Sequence, residues 1–344
     1  MHKYDRFLSI EGCLKHRAMQ VSDARRRYGN DQDIALPNPY LADVVKIMES
    51  KAVRSLANKT QVLSSPSNAL IRNRLSHSME VAAIATTIAQ ILGLNHELCM
   101  AIALAHDIGH TPLGHQGEEF LTKVTEKIFR HEVFGVIVAQ KIERKGDGLN
   151  LTKQTLLGML HHSRGPKEIV VSDEMSEEAK AVMYSDKIAY MLADYNDFPR
   201  LGVPEHWRKK LRWFREVGMN QRERKNAIIA ALCEESAEKG SVSFCDGEIA
   251  RSFSETKNEM YKIYARLHTY DFEGFMKVYA FLGKVLQNDY PTVAFALMTD
   301  ADLLYLSQYH VLDITKLRQT SLWERIPFLE ELPPIDLSNP DLDW

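Results

Sequence analysis

Residues 100–118, MAIALAHDIGHTPLGHQGE, carry an apolar helix directly into an adjacent imidazole and carboxylate, His106 and Asp107, at a glycine-bearing turn. A carboxylate buried at the end of such a helix is costly unless a cation or hydrogen-bond donor compensates it, so the fold has to bring a partner to Asp107. Two other stretches can supply one. His77 opens an earlier helical segment, RNRLSHSMEV, and Asp186 sits in a later one, MYSDKIAYMLADYNDF. Together the four side chains read as two imidazoles and two carboxylates around one divalent ion.

The hydrophobic pattern around these residues is helical. After His77, the positions Val81, Ile84, Ile88 and Ile91 recur at spacings of four, three, four and three, and Gly93 is placed to stop that helix. Leu98, Ile102 and Ala105 form a second apolar face that ends at His106 and Asp107. Further helical stretches fall near 38–57, 116–128, 131–143, 152–162, 175–197, 205–217, 221–238, 247–268, 271–287 and 291–310. SVSFC at 241–245 is the best strand signal, half of a small hairpin at most, and the proline- and aspartate-rich end is expected to be loose. The expectation is an all-α helical bundle. It divides into an N-terminal segment (1–37), a core that builds the site (38–204), a C-terminal helical region packed on that core (205–328) and a tail (329–344).

Composition removes several classes. Four cysteines, Cys13, Cys99, Cys233 and Cys245, show no CxxC pairing, which argues for a reducing compartment and against a cysteine zinc site. The first residues lack an apolar signal stretch and the longest apolar runs are too short to span a bilayer, so a cytoplasmic protein without membrane contact is expected. A net charge of −3 gives no general reason to expect nucleic acid. The clusters ARRRY (24–28) and WRKKLRWFR (207–215) read first as solvated faces.

Helical geometry groups the candidate residues. His106 and His110 are one turn apart and would share a face, with Asp107 pointing about 100° away. Asp186, Tyr190 and Asp194 recur every four residues, which lines up a possible ligand, a ring and a second carboxylate.

At these residues the chain resembles a known family. The order H…HD…D is similar to that of the HD-domain metal-dependent phosphohydrolases. KAVRSLANKTQV (51–62), RNRLSHSMEVA (72–82), AIALAHDIGHTPLGHQGE (101–118), FRHE (129–132), GLNLTKQTLLGMLHH (148–162) and SDKIAYMLADYNDF (185–198) resemble the deoxynucleoside triphosphate triphosphohydrolases, bacterial dGTPase-like proteins above all. The resemblance implies that His77, His106, Asp107 and Asp186 bind the metal. It implies that His115 is the catalytic histidine oriented by Glu118, and that His110 and His131 line the phosphate pocket. It also implies that Gln61 and Asp194 contact the sugar 3′-hydroxyl, that Tyr190 packs on the deoxyribose, and that Arg74 and Lys187 hold phosphate oxygens. The implied reaction releases inorganic triphosphate and a deoxynucleoside, with dGTP as the family default. A homo-oligomer, hexamer or tetramer, is implied too, as is a nucleotide or single-stranded-DNA effector. The ion could be Mn, Mg, Fe, Co, Ni or Zn, and the residue types do not choose among them.

Ordinary chemistry agrees with these roles. A triphosphate needs a divalent cation and fixed donors, and an imidazole can carry a proton near neutral pH. Plainer readings compete: Gln61 as a surface amide, Tyr190 as a core aromatic, Lys187 as a solvated lysine, His131 as a helix start and Glu118 as a first-turn charge. His161-His162 reads as end-charge placement or packing and is left out of the site. The sequence departs from many bacterial relatives at Thr111 and Leu113 in GHTPLGH and at Glu132 in FRHE. Asp186-Lys187 instead resembles the eukaryotic SAM-and-HD-domain enzymes, which leaves the base open. Two other functions stay in competition, a nucleotide- or DNA-responsive regulator with little turnover and a generic HD phosphohydrolase on other nucleotides.

Overall fold

The computed structural model describes residues 5–29, 36–61, 68, 70–163, 175–267, 272–288 and 290–344. Among these the fold is all-α, with isolated bridges (Arg26 with Thr152, Thr60 with Asn73) and no strand. Of the expected helical stretches, the ends at 268 and 271 lie outside the described residues.

The helices that carry the site are α1 (Pro39–Glu49), α2 (Lys51–Ser55), α3 (Arg74–Leu92), α4 (His96–Ala105), α5 (His115–Thr125), α6 (His131–Ile137), α7 (Lys153–His161) and α8 (Glu177–Asp197). C-terminal to them come α9 (Gln221–Lys239), α10 (Glu248–Leu267), α11 (Phe272–Val285), α12 (Tyr290–Leu297) and α13 (Asp300–Ser307), with shorter turns between. No helix among the described residues is long and apolar enough to cross a membrane.

α3, α4 and α8 pack on one another and form the frame of the site. α4 is the innermost. Leu98, Cys99 and every residue from Ala101 to Ala105 are buried, and its alanines let neighbouring backbones come close. The Asn73 and Asn95 side chains cap α3 and α4 by accepting from the Ser76 and Leu98 amides. Gly93 ends α3 with φ of +79°, as its place in the sequence predicts, and a Cβ there would meet Gly12 Cα at 2.7 Å. The N-terminal segment uses that approach, with Gly12 and Leu14 amides donating to Ile91 and Leu92 carbonyls.

Several expectations are corrected. The 38–57 stretch is not one helix: Ser50 takes an extended conformation and its hydroxyl caps α2 at Val53 N. A 3-10 turn at Lys209–Leu211 divides 205–217, and Thr299, capping α13 through a reciprocal pair with Asp302, divides 291–310. From Val138 to Ile142 the helix after α6 widens to π geometry. Residues 241–245 are not a strand, because their amides are claimed by side chains: Val242 N by Glu177, Ser243 N by Ser236 and Cys245 N by Glu235. The tail is docked, not loose. Lys153 Nζ donates to Trp344 O at 2.7 Å, Gln140 Nε2 to Pro340 O at 2.7 Å, and Asp341 pairs with Arg27 and Lys141.

Candidate metal centre and its cavity

α4 stops at Ala105, so His106 and His110 do not share a helical face as their spacing suggests. The chain tightens into turns, with Ile108 N on Ala105 O and His110 N on Asp107 O, and Pro112 prevents any resumption before α5. Gly109 fits this turn against the start of α6. A Cβ there would lie 2.1 Å from His131 O and 2.2 Å from Gly135 N. His106 is thereby sent toward α3 and α8, and His110 toward α5 and α6.

On the first side, His77 from α3 and Asp186 from α8 meet the pair at the end of α4. His77 Nε2 lies 3.0 Å from Asp186 Oδ1, and His106 Nε2 lies 3.4 Å from Asp107 Oδ1 and 3.8 Å from Asp186 Oδ1. His106 Nδ1 faces Ala103 O at 2.7 Å, and a carbonyl can only accept, so Nδ1 carries the proton and Nε2 presents a lone pair. That buried lone pair has no hydrogen-bond partner. A divalent cation fits it, flanked as it is by two carboxylates and a second imidazole. Burial opposes ionisation of Asp107 and Asp186, but neighbouring cations and histidines overcome it and hold both well below the usual carboxylate range. Arg74 NH1 is 2.7 Å from Asp107 Oδ2.

On the second side, Glu118 in the first turn of α5 gathers three histidines. Its Oε1 lies 2.6 Å from His110 Nδ1, 3.1 Å from His131 Nδ1 and 3.5 Å from His115 Nδ1. The His110 and His131 rings stack with centroids 3.6 Å apart. Burial, with Arg74 and His131 adding to it, pushes His110 down to about 3. His131 goes the other way: burial opposes its charge, but Glu118 outweighs this and raises it to about 9. One positive charge on His131 thus balances Glu118. His115 is far more open, with 71% of its side chain exposed.

Between and beyond these groups lies a cavity of about 300 Å³. Of the residues singled out from sequence, Gln61, Arg74, Asp107, His110, His115, His131, Asp186, Lys187, Tyr190 and Asp194 line it, while His77, His106 and Glu118 stand directly behind. Lys187, whose pKa burial lowers, reaches Met183 O at 3.3 Å on its own helix. Gln61 Oε1 is buried without a partner among the described residues. Asp194 accepts from Tyr264 OH at 2.6 Å, and burial lifts it to about 6 although Arg72 is close by.

Five lining residues, Leu113, His162, Ser163, Tyr261 and Tyr264, were not expected. His162 was assigned to packing, yet it repeats the arrangement of His106. It follows a buried helix, α7, and its Nδ1 faces a carbonyl three residues back, Met159 O at 2.6 Å. The parallel between ALAH and GMLHH was the signal available. Tyr261 and Tyr264 come from α10, so residues beyond 204 do not merely pack on the core; they wall its cavity. Nothing local marks them among the aromatics of an amphipathic helix. Asp300, at the start of α13, was missed as well. Its carboxylate accepts from Leu113 N at 2.7 Å and from Thr60 N at 2.8 Å, so it binds the turn before His115 to the segment before Gln61. Leu113 is held there at φ of +57°, a conformation that costs a non-glycine residue about 1 kcal/mol or more.

Residues 74–191 match the HD domain family, and the chain therefore carries an HD domain. Among proteins of known sequence it is similar to deoxyguanosinetriphosphate triphosphohydrolase-like proteins. That of Caldanaerobacter subterraneus is 42% identical over 180 residues, 52% of this chain and 51% of the relative. That of Clostridium tetani is 40% identical over 181 residues, 53% of this chain and 52% of the relative. That of Desulfatibacillum aliphaticivorans is 35% identical over 219 residues, 62% of this chain and 61% of the relative. The chain spans about half the length of the first two relatives it matches.

Proposed function

We propose that this protein hydrolyses deoxynucleoside triphosphates to a deoxynucleoside and inorganic triphosphate, using a divalent ion held by His77, His106, Asp107 and Asp186. One observation carries the reading: a metal-type donor set, two basic side chains and a histidine–glutamate pair converge on a cavity that Tyr190, Asp194 and Gln61 also line. The names of the relatives support it, with dGTP as the first substrate to try.

An ion bound there would supply Lewis-acid polarisation of the α-phosphate. Arg74 exchanges Asp107 Oδ2 for a phosphate oxygen, and Lys187 neutralises another. A water oxygen forms a bond to the α-phosphorus as the bond to the sugar O5′ breaks, and the His115 Nε2 lone pair takes the water's proton and passes it to that departing oxygen. His115 Nδ1 faces Glu118, which favours the tautomer needed. His131 and His110 back the phosphates. Tyr190 packs on the deoxyribose and leaves no room for a 2′-hydroxyl, while Gln61, through the Oε1 that has no partner among the described residues, and Asp194 take the 3′-hydroxyl. A homo-oligomeric assembly and a nucleotide or single-stranded-DNA effector belong to the same reading.

The test is to incubate the full chain with each dNTP and Mn²⁺ or Mg²⁺ and separate the products. Deoxynucleoside plus inorganic triphosphate is expected. Pyrophosphate with a monophosphate, or binding without product over hours, would overturn the proposal.

A further inference from the structure

Lys59 is a buried cation for which the reaction has no use as written. It is 2% exposed, yet it does not line the cavity. Enclosing an ammonium is costly unless acceptors are aimed at it. Two main-chain carbonyls are. Lys59 Nζ donates to His110 O, in the turn after α4, and at 3.2 Å to Ala296 O, one residue before the end of α12. The turn leaves its carbonyl open, because Leu113 N donates to Asp300 at 2.7 Å and Gly114 N donates to Thr111 O. Ala296 O is among the last carbonyls of a helix, where a cation is favoured. The Lys59 backbone reaches a third element, its carbonyl accepting from Arg74 N at the start of α3.

We propose that Lys59 is a positioning residue: its ammonium ties the His110 turn to the end of α12 and so sets where the His110 ring stands in the cavity. Lys59 touches no reacting atom. It acts through a ring that stacks on His131 and whose Nδ1 lies 2.6 Å from Glu118 Oε1, so a displaced turn disturbs all three side chains. The charge contributes as well as the N–H groups. A neutral amine still donates twice, but it loses the attraction to a helix C-terminus. The charged groups around the ammonium are Arg74 at the start of α3, Asp300 and Asp302 on α13, and Arg325 beyond it. Burial first, then Arg325 and Arg74, bring Lys59 down to about 7 against the pull of the two aspartates. The tie is therefore strongest in mild acid and weakens as pH rises through neutrality.

The inference rests on the proposed reaction for its effect on turnover, and a second readout needs no turnover. First, kcat for dGTP with Mn²⁺ is measured from pH 6 to pH 9 in the unaltered full chain and in Lys59→Met. Dividing one by the other cancels every titrating group the two proteins share. The ratio should be about 10- to 100-fold at pH 6 and fall as Lys59 loses its proton. Lys59→Arg, which keeps its charge, replaces Lys59→Met should circular dichroism show that variant unfolded, and the same falling ratio is expected. A ratio constant with pH, or full turnover in Lys59→Met at pH 6, overturns the proposal. Second, imidazole ¹⁵N resonances are followed in the metal-free chain. The His110 signals should move between pH 6 and pH 8 with a midpoint of about 7, and that movement should be missing from Lys59→Met. Equal movement in both proteins overturns the tie. If no dNTP is hydrolysed but the Lys59-dependent movement is seen, the proposed reaction fails and the tie stands.

Discussion

His106 and His115 belong to one short stretch of chain, yet the structure holds them by opposite means. His106 is 1% exposed, its Nδ1 tied to Ala103 and its position set by three helices packed on one another. His115 heads α5 at the mouth of the cavity, largely exposed, behind a turn whose left-handed Leu113 is kept in place by Asp300. A ligand set for a metal ion has to be rigid to within fractions of an ångström, and packed helices provide that. A group that carries a proton to solvent-facing substrate has to be reachable, and a turn at a helix start provides that.

Substitutions can break this contrast. The largest effect is expected from His106→Ala, in which Mn²⁺ binding and turnover should be lost together, turnover by on the order of 1,000-fold or more. Calorimetry and product analysis on one preparation measure both, and activity surviving without the ion would end the contrast. His115→Ala should lower turnover by about 100- to 10,000-fold with Mn²⁺ affinity unchanged. A parallel loss of metal would make the two histidines one unit. At the sugar end, Tyr190→Ala should reduce the preference for dNTPs over rNTPs by about 10-fold while the ion stays bound. An unaltered preference, read from competing kcat/KM values, would remove Tyr190 from that role.

The smallest effect is on stability. Burial raises Asp194 from 3.8 in its ordinary state to about 6. The folded state therefore keeps this proton to higher pH, so the group favours folding below 3.8 and that contribution is lost as pH rises through 6. The full span is worth up to about 3 kcal/mol. Asp194→Asn removes it, so its Tm relative to the unaltered protein should climb between pH 4 and pH 7.5. An equal Tm difference at both pH values would show that no burial penalty acts on Asp194.

Much of the frame was legible because its signals are local. The three–four spacing from Val81 to Ile91 and the stop at Gly93 describe α3, and the apolar stretch before His106 describes α4. What escaped depends on contacts distant along the chain. Tyr261, Tyr264 and Asp300 act on residues of the matched segment from far beyond it, and no periodicity reports such a meeting. The 241–245 stretch looked like a strand because β-propensity says nothing of the glutamates that take its amides. The helical spacing of His106 and His110 misled because the helix ends between its last alanine and the turn. His162 is the instructive miss, since its grammar was already on display at His106.

Asp300 changes what counts as the working piece of this molecule. A polypeptide ending at residue 204 would retain every letter of the H…HD…D pattern, yet it would forfeit the tyrosine wall and the latch across the mouth. The motif advertises a smaller machine than the one that has to be made.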